Sequence, residues 1–442
     1  MRYSSLIDLL KDKARLHGSK IALIFDYDGG KGKEILTYSE LLTQVNMQVD
    51  NMKKQPFSCV GIKMHASPQW IITALAAAIA GKQTVLMDPD VSQEKAKLMA
   101  EATDVEVIYT EKGSQVTQLG DNILYTKNSP IIQYPGDFLF FTSGTTGANK
   151  AVVVSQEAVL SSAWKGNIMM ECKEEDVLLS VLPLNHIFGF VCALLWPISS
   201  GATVAIGRGL RFLMDDPLYF KPTIISVVPA MLKFMLSIDC LNPELTALLV
   251  GAGPCDKDSL DKVRSKGIDL RYGYGLTETA SGLAISLKGE NPFDMAICPE
   301  TEIRISDRGE IIAKSSSMMK GYYKDPEKTS KVLIQGELHT GDLGKLVTGN
   351  RLNILGRLDD VYALSSGEKI KTGDWEDQLT EYVGVPVKIK VENDTPIPYI
   401  YVENPELKPI VRQKIIKFNS KQPLGRRLGP LVFTHKPIKT RV

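Results

Sequence analysis

The segment Phe141-Thr142-Ser143-Gly144-Thr145-Thr146-Gly147-Ala148-Asn149-Lys150 gathers two glycines, four hydroxyl side chains and one lysine. A glycine-rich turn can bring backbone N–H groups close to an anion, hydroxyls add donors, and a lysine adds charge. These are the parts of a polyphosphate-binding loop, although a polar surface loop has a similar composition. The pattern is not a Walker A loop, which needs Gly immediately before the lysine and Ser or Thr after it. Asn149 and Ala151 occupy those places.

A second group is Tyr272-Gly273-Tyr274-Gly275-Leu276-Thr277-Glu278-Thr279. Taken alone it reads as a turn with two glycines. It lacks the third Gly of a dinucleotide fingerprint, and Glu278 stands there instead. A carboxylate beside a polyphosphate repels it unless a cation lies between. Mg²⁺ suits that place, because it takes oxygen ligands and bridges phosphates.

Further along come His339-Thr340-Gly341-Asp342-Leu343 and Gly356-Arg357-Leu358-Asp359-Asp360, then Leu364-Ser365-Ser366-Gly367-Glu368. An Asp after Gly at the end of a strand can accept hydrogen bonds from both hydroxyls of a ribose, and a β-turn suits Thr-Gly-Asp equally well. From residue type alone, Arg357 and Asp359 read as an ion pair at a domain edge. Upstream, Leu182-Pro183-Leu184-Asn185-His186-Ile187-Phe188-Gly189 sets one histidine among apolar residues, a pattern common in satisfied core histidines. Val250-Gly251-Ala252-Gly253-Pro254 is a Gly-rich wall.

In this order the groups resemble those of the adenylate-forming, or AMP-binding, enzymes: acyl-CoA synthetases, aryl-CoA ligases, luciferases and the adenylation domains of peptide synthetases. The likeness runs from about Tyr38 to the end of the chain. It implies that Thr142, Ser143, Gly144, Thr145, Thr146, Gly147 and Lys150 receive the phosphates of ATP. Gly251, Ala252, Gly253, Tyr274 and Gly275 would receive adenine, with Tyr274 stacking on it. Thr277 would bond the α-phosphate, and Glu278 with Thr145 would hold Mg²⁺. Asp342 would take the ribose hydroxyls and Arg357 would touch the nucleotide. Asp359 would be the pivot of a mobile C-terminal domain, Gly367 would lie near the pantetheine thiol, and His186 would gate the acid pocket. Amino-acid-activating relatives carry an Asp near that histidine, and none occurs between Leu182 and Ala193. The wording around Gly367 is closest to that of long-chain acyl-CoA synthetases.

The elements that position these residues follow from patterning. The apolar runs Phe138–Phe141 and Ala151–Val154 read as strands around the first segment. Leu6, Leu9, Leu10 and Ala14 keep helical spacing, and Thr37 with Glu40 forms a capping box. Strands at Ile21–Phe25, Val60–Met64, Thr84–Met87 and Val105–Tyr109 alternate with helices at 69–80 and Glu94–Ala102, which predicts β-α-β units on a largely parallel sheet. Ala202–Ile206, Thr223–Val228 and Ala247–Val250 continue the pattern. Short strands and turns, including Gly309–Lys314 and Arg351–Leu355, follow. The expected fold is α/β: a large N-terminal domain, 1–357, of mixed and parallel sheets with a small β-rich subdomain, then a small mobile α+β domain, 358–442.

The length of 442 residues fits about two or three domains. With Lys plus Arg at 52 and Asp plus Glu at 51, the net charge of +1 gives no field for nucleic acid or an anionic membrane. The six cysteines form no C-x-x-C pair and read as reduced thiols of a cytoplasmic protein. No apolar signal core opens the chain, and Ile71–Gly81 is too short to span a bilayer, so no transmembrane segment is expected.

Family members usually close with a Gly-Lys pair whose lysine stabilises charge during adenylation. This chain reads Lys436-Pro437-Ile438-Lys439-Thr440-Arg441-Val442, and the pair would fall just past Val442. The expected C-terminal domain is therefore trimmed or lacks that lysine, and Lys436 and Lys439 are not expected to replace it. The expected activity converts a fatty or aryl acid and ATP to acyl-AMP and pyrophosphate. The acyl group then passes to the thiol of coenzyme A or of a carrier-protein phosphopantetheine. A degenerate nucleotide- or acyl-adenylate-binding relative and an amino-acid-activating domain are the alternatives.

Overall fold

In the computed structural model the described residues are 3–26, 32–111, 133–143, 149–358, 361–363, 369–392, 395–422 and 427–434. The chain divides into two compact units. The first comprises Met1–Arg304, Ile312–His339 and Leu346–Asn353, and the second Ile305–Ile311, Thr340–Lys345 and Ile354–Val442.

In the first unit, the helices begin where capping chemistry places them. Thr37 Oγ1 accepts the Glu40 N–H at 3.2 Å and Glu40 Oε2 accepts the Thr37 N–H at 2.8 Å, so both halves of the capping box form. The helix Pro68–Ile79 is apolar on nearly every face and is buried accordingly. No helix among the described residues is long and apolar enough to cross a membrane.

One sheet of this unit runs, in spatial order, Gly321–Tyr322, Asn149–Val154, Phe138–Ser143, Gln83–Leu86, Cys59–Lys63, Val107–Thr110. The last four are parallel neighbours and the first two are antiparallel additions. Alternation splits its two faces. Phe138 and Phe140 pack on Phe190, at 4.8 and 5.6 Å between ring centroids. Leu139 and Val153 point the other way, into a cluster with Val85, Met87 and Ile108.

A second sheet runs Met295–Ile297, Ala284–Ile285, Asp269–Tyr274, Ala247–Val250, Ile224–Val227, Val177–Ser180, Thr203–Ile206, Ile21–Phe25, Glu34–Thr37. It is parallel from Asp269–Tyr274 to Ile21–Phe25 and antiparallel at both ends. The unbroken apolar runs of the central strands suit a sheet covered on both faces.

The second unit has its own core of Leu379, Val383, Val387, Ile389, Ile400, Val411 and Ile415. It is built from the helices Thr372–Val383 and Leu407–Ser420 and a sheet of Val387–Glu392, Thr395–Ile400 and Val432–Phe433.

The α/β expectation holds, with two local departures. Tyr272-Gly273-Tyr274 is not a turn but the end of the strand Asp269–Tyr274. Thr340-Gly341-Asp342 sits neither in a β-turn nor at a strand end, but inside the strand Glu337–Val347. There a buried-every-second-residue pattern overrides the turn signal of the glycine.

Candidate active site

The first unit assembles most of the chemistry-bearing segments. In the hairpin, Thr142 pairs with Lys150 and Phe140 with Val152. Tyr322 pairs with Val152 on the other side. Cross-strand partners and alternate residues share a face, so Thr142, Lys150 and Tyr322 all stand on the side that carries Phe138 and Phe140. Lys150 and Thr142 are half-buried strand residues rather than loop residues. Gly144, Thr145, Thr146 and Gly147 lie outside the described residues, and Ser143 is described only as the last residue of its strand.

After Tyr274 the chain makes a tight knot. Thr277–Thr279 form one 3₁₀ turn, the Leu276 N–H donates to Thr279 Oγ1 at 3.0 Å, and the Ser281 N–H returns to the Leu276 carbonyl at 3.0 Å. Ala280 and Ser281 adopt left-handed φ of 46° and 88°. Gly275 is required by close approach: a Cβ there would lie 1.2 Å from the Ser281 carbonyl oxygen.

The knot holds Glu278 half-buried, and its Oε1 accepts the Tyr322 hydroxyl at 2.7 Å. The Lys150 ammonium lies 5.0 Å from the centroid of the same Tyr322 ring. A lysine from the first group, a carboxylate from the second and a phenol that contacts both therefore meet. Sequence reasoning gave Tyr322 no role. In the sequence, Gly321-Tyr322 with Thr329 resembles an intervening motif of the adenylate-forming enzymes, which a turn explains equally well.

The acid-pocket segment packs beside them. His186 precedes the helical turn Ile187–Phe190, which continues as a π-helical turn, Val191–Leu195. Such turns are rare and frequent at functional sites. Gly189 is pressed on Pro183, whose carbonyl oxygen would lie 2.3 Å from a Cβ. Phe188 approaches Gly251, where a Cβ would come within 3.1 Å of the ring. The Tyr272 hydroxyl donates to the Gly253 carbonyl at 2.8 Å, and Ala252 has a left-handed φ of 65°. Cys192 Sγ lies 3.5 Å from Ser281 Oγ. Thus Gly251–Gly253, the Tyr274–Ser281 knot and the His186–Cys192 turn are neighbours.

His186 is an exposed residue, although protein atoms crowd its ring. That desolvation pulls its pKa below the ordinary imidazole value, against an upward pull from Asp88. The 182–193 segment has no acid of its own; the fold supplies Asp88 from elsewhere in the chain. Burial raises the Cys192 thiol to about 11, with the Ser281 hydrogen bond opposing, so it stays protonated.

In the second unit, Asp342 is 5% exposed and accepts from Arg357 Nη1 at 2.8 Å. Thr340 Oγ1 donates to the Ile311 carbonyl at 2.7 Å and accepts the Asp342 N–H at 3.1 Å. The Gly341 N–H donates to Glu310 Oε1 at 3.0 Å, with φ at 70°. Asp359, Gly367, Lys436 and Lys439 lie outside the described residues.

Among the described residues no group of three or more His, Cys, Asp or Glu could cage a metal. A single half-buried carboxylate, Glu278, fits Mg²⁺ all the same, because that ion is usually held by one or two carboxylates plus the phosphates of a substrate.

The fold and this arrangement define a class. The AMP-binding enzyme family matches residues 10–323, and the chain belongs to that family. It is 27% identical over 375 residues to a 2-succinylbenzoate–CoA ligase of Bacillus pumilus, covering 77% of this chain and 76% of that one. It is 24% identical over 461 residues to 4-coumarate–CoA ligase 2 of Nicotiana tabacum, covering 89% and 84%. Among solved structures, the O-succinylbenzoate coenzyme A synthetase of Bacillus subtilis in complex with AMP superposes with a TM-score of 0.79 at 21% identity, covering 98% of this chain and 95% of that one.

Proposed function

We propose that this chain is an AMP-forming acid–thiol ligase acting on an aryl carboxylic acid. The acid's carboxylate attacks the α-phosphorus of ATP, the bond to the β-phosphate oxygen breaks, and acyl-AMP and pyrophosphate result. The thiol of coenzyme A then displaces AMP to give the thioester. The observation that carries the reading is the meeting of Lys150, Tyr322 and Glu278 on a chain that belongs to the AMP-binding enzymes.

In this reading Lys150 and the Thr142 hydroxyl face the phosphates and offset the charge of the departing pyrophosphate. Glu278 and Thr145 hold Mg²⁺, which when bound neutralises phosphate charge. Thr277 bonds the α-phosphate, and Tyr274, Gly251 and Gly253 receive adenine. Asp342, oriented by Arg357, accepts from the ribose hydroxyls. His186, held neutral by that crowding, borders the acid without adding a positive charge. The pivot at Asp359, the thiol contact at Gly367 and a cytoplasmic location belong to the same proposal, and a carrier-protein phosphopantetheine is the alternative acceptor to coenzyme A. An aryl acid is favoured over a fatty acid because the named relatives are ligases of 2-succinylbenzoate and 4-coumarate.

The test is acid-dependent pyrophosphate release from ATP across benzoates, cinnamates, fatty acids and amino acids. Release with an aryl acid, followed by thioester on adding coenzyme A, is expected. Release with amino acids alone, or no release from protein that binds ATP, would overturn the reading.

A further inference from the structure

Tyr322 is buried at 6% exposure, yet its one polar atom reaches a carboxylate and its ring faces an ammonium. Three restraints fix it. The strand pairing places it opposite Val152, two residues from Lys150. Its N–H donates to Thr329 Oγ1 at 2.9 Å, and that hydroxyl donates to the Asp325 carbonyl at 2.8 Å. Gly321, at φ 147°, allows the close approach, since a Cβ there would lie 2.9 Å from Thr329 Cγ2. The Glu278 backbone is tied to the same segment, its carbonyl accepting the Met319 N–H at 2.8 Å. Among the described residues, Lys150 and Glu278 form no ion pair with each other, and each contacts the same Tyr322 side chain.

We infer that Tyr322 is a positioning residue for the metal–nucleotide site: its hydroxyl holds one oxygen of Glu278 and leaves the other to the cation. This rests on the assignment of Mg²⁺ to Glu278. The phenol is a neutral donor, so it fixes the carboxylate without cancelling its charge. The same ring restrains Lys150 through its face and keeps that cation from closing onto Glu278, which would remove both charges from the nucleotide. Hydrogen bonds that orient a metal-binding carboxylate typically contribute about 10–100-fold in metal affinity.

The test uses full-length protein with the non-cleavable analogue α,β-methylene-ATP, and Mn²⁺ as a paramagnetic substitute whose free concentration is read by electron paramagnetic resonance. Tyr322→Phe keeps the ring and removes the hydroxyl. The expected result is Mn²⁺ affinity in the ternary complex lowered about 10–100-fold, with binding of the metal-free analogue in EDTA and the thermal midpoint unchanged. Glu278→Gln, measured in parallel, separates the two layers of argument. If Glu278→Gln loses the metal and Tyr322→Phe keeps wild-type affinity, the role of Tyr322 is overturned while the metal assignment stands. If Glu278→Gln also keeps the metal, the assignment fails and takes the inference with it. Equal losses with and without metal in Tyr322→Phe would mark a general role in nucleotide binding and overturn the inference.

Discussion

Glu278 and Asp342 are both acids assigned to the nucleotide site in the proposed reading, but the fold treats them oppositely. Glu278 is half-buried and receives a neutral hydroxyl, whereas Asp342 is nearly fully buried and receives a guanidinium. A carboxylate bonded to a phenol keeps its whole charge and can attract a cation. A carboxylate paired with arginine is largely neutralised, and what remains is directional acceptor capacity, suited to hydroxyl groups. The partner, more than the acid itself, sets the role.

The sharpest way to break this comparison is to remove each charge while keeping its shape. Glu278→Gln should lower acid-dependent pyrophosphate release by about 10²–10³-fold at fixed Mg²⁺. Asp342→Asn should leave the metal dependence intact and raise the KM for ATP by about 10-fold, the effect of one charge-assisted hydrogen bond. Equal metal dependence in the two variants would erase the distinction.

The glycines beneath the two acids differ in the same direction. Gly275→Ala puts a methyl on a backbone oxygen, and the loss in urea unfolding should reach at least about 3 kcal/mol, the upper end of common overpacking penalties. Gly341→Ala meets only the end of Arg357, at 3.3 Å, so its cost is chiefly that of a left-handed φ, about 1–2 kcal/mol.

A smaller effect comes from His186, a third polar group, an exposed residue whose ring is crowded by protein atoms. Its folded pKa lies below its unfolded value, so the unfolded chain binds the extra proton between the two. The stability from keeping the ring neutral is present above pH about 6.5 and is lost as pH falls below it. His17, also lowered by burial, acts in the same sense. Urea titrations from pH 7.5 to 5 should therefore show a shallower slope for His186→Gln than for the parent chain, and an unchanged slope would refute the crowding as its cause.

Much of the scaffold was legible because local chemistry dictates it. The Thr37 capping box, the buried Pro68–Ile79 helix and the apolar central strands follow from residue type and period. The strand end at Tyr274 and the strand interior at Asp342 were not, since Gly-rich wording signals a turn and only neighbouring strands convert it to sheet. The pairing of Tyr322 with Glu278 was beyond reach for a different reason. Those residues are 44 apart, and the bond depends on Tyr322 being laid along Asn149–Val154 by long-range pairing. Asp88, which pulls on His186, is likewise brought near by the fold alone.

The register of the Phe138–Ser143 and Asn149–Val154 hairpin also sets which changes of length this chain can inherit. One residue inserted between Lys150 and Val152 would turn the lysine to the opposite face, toward Leu139 and Val153, and bury its charge among hydrocarbons. Lineages of this protein should therefore hold a fixed count of residues from Lys150 to Val154.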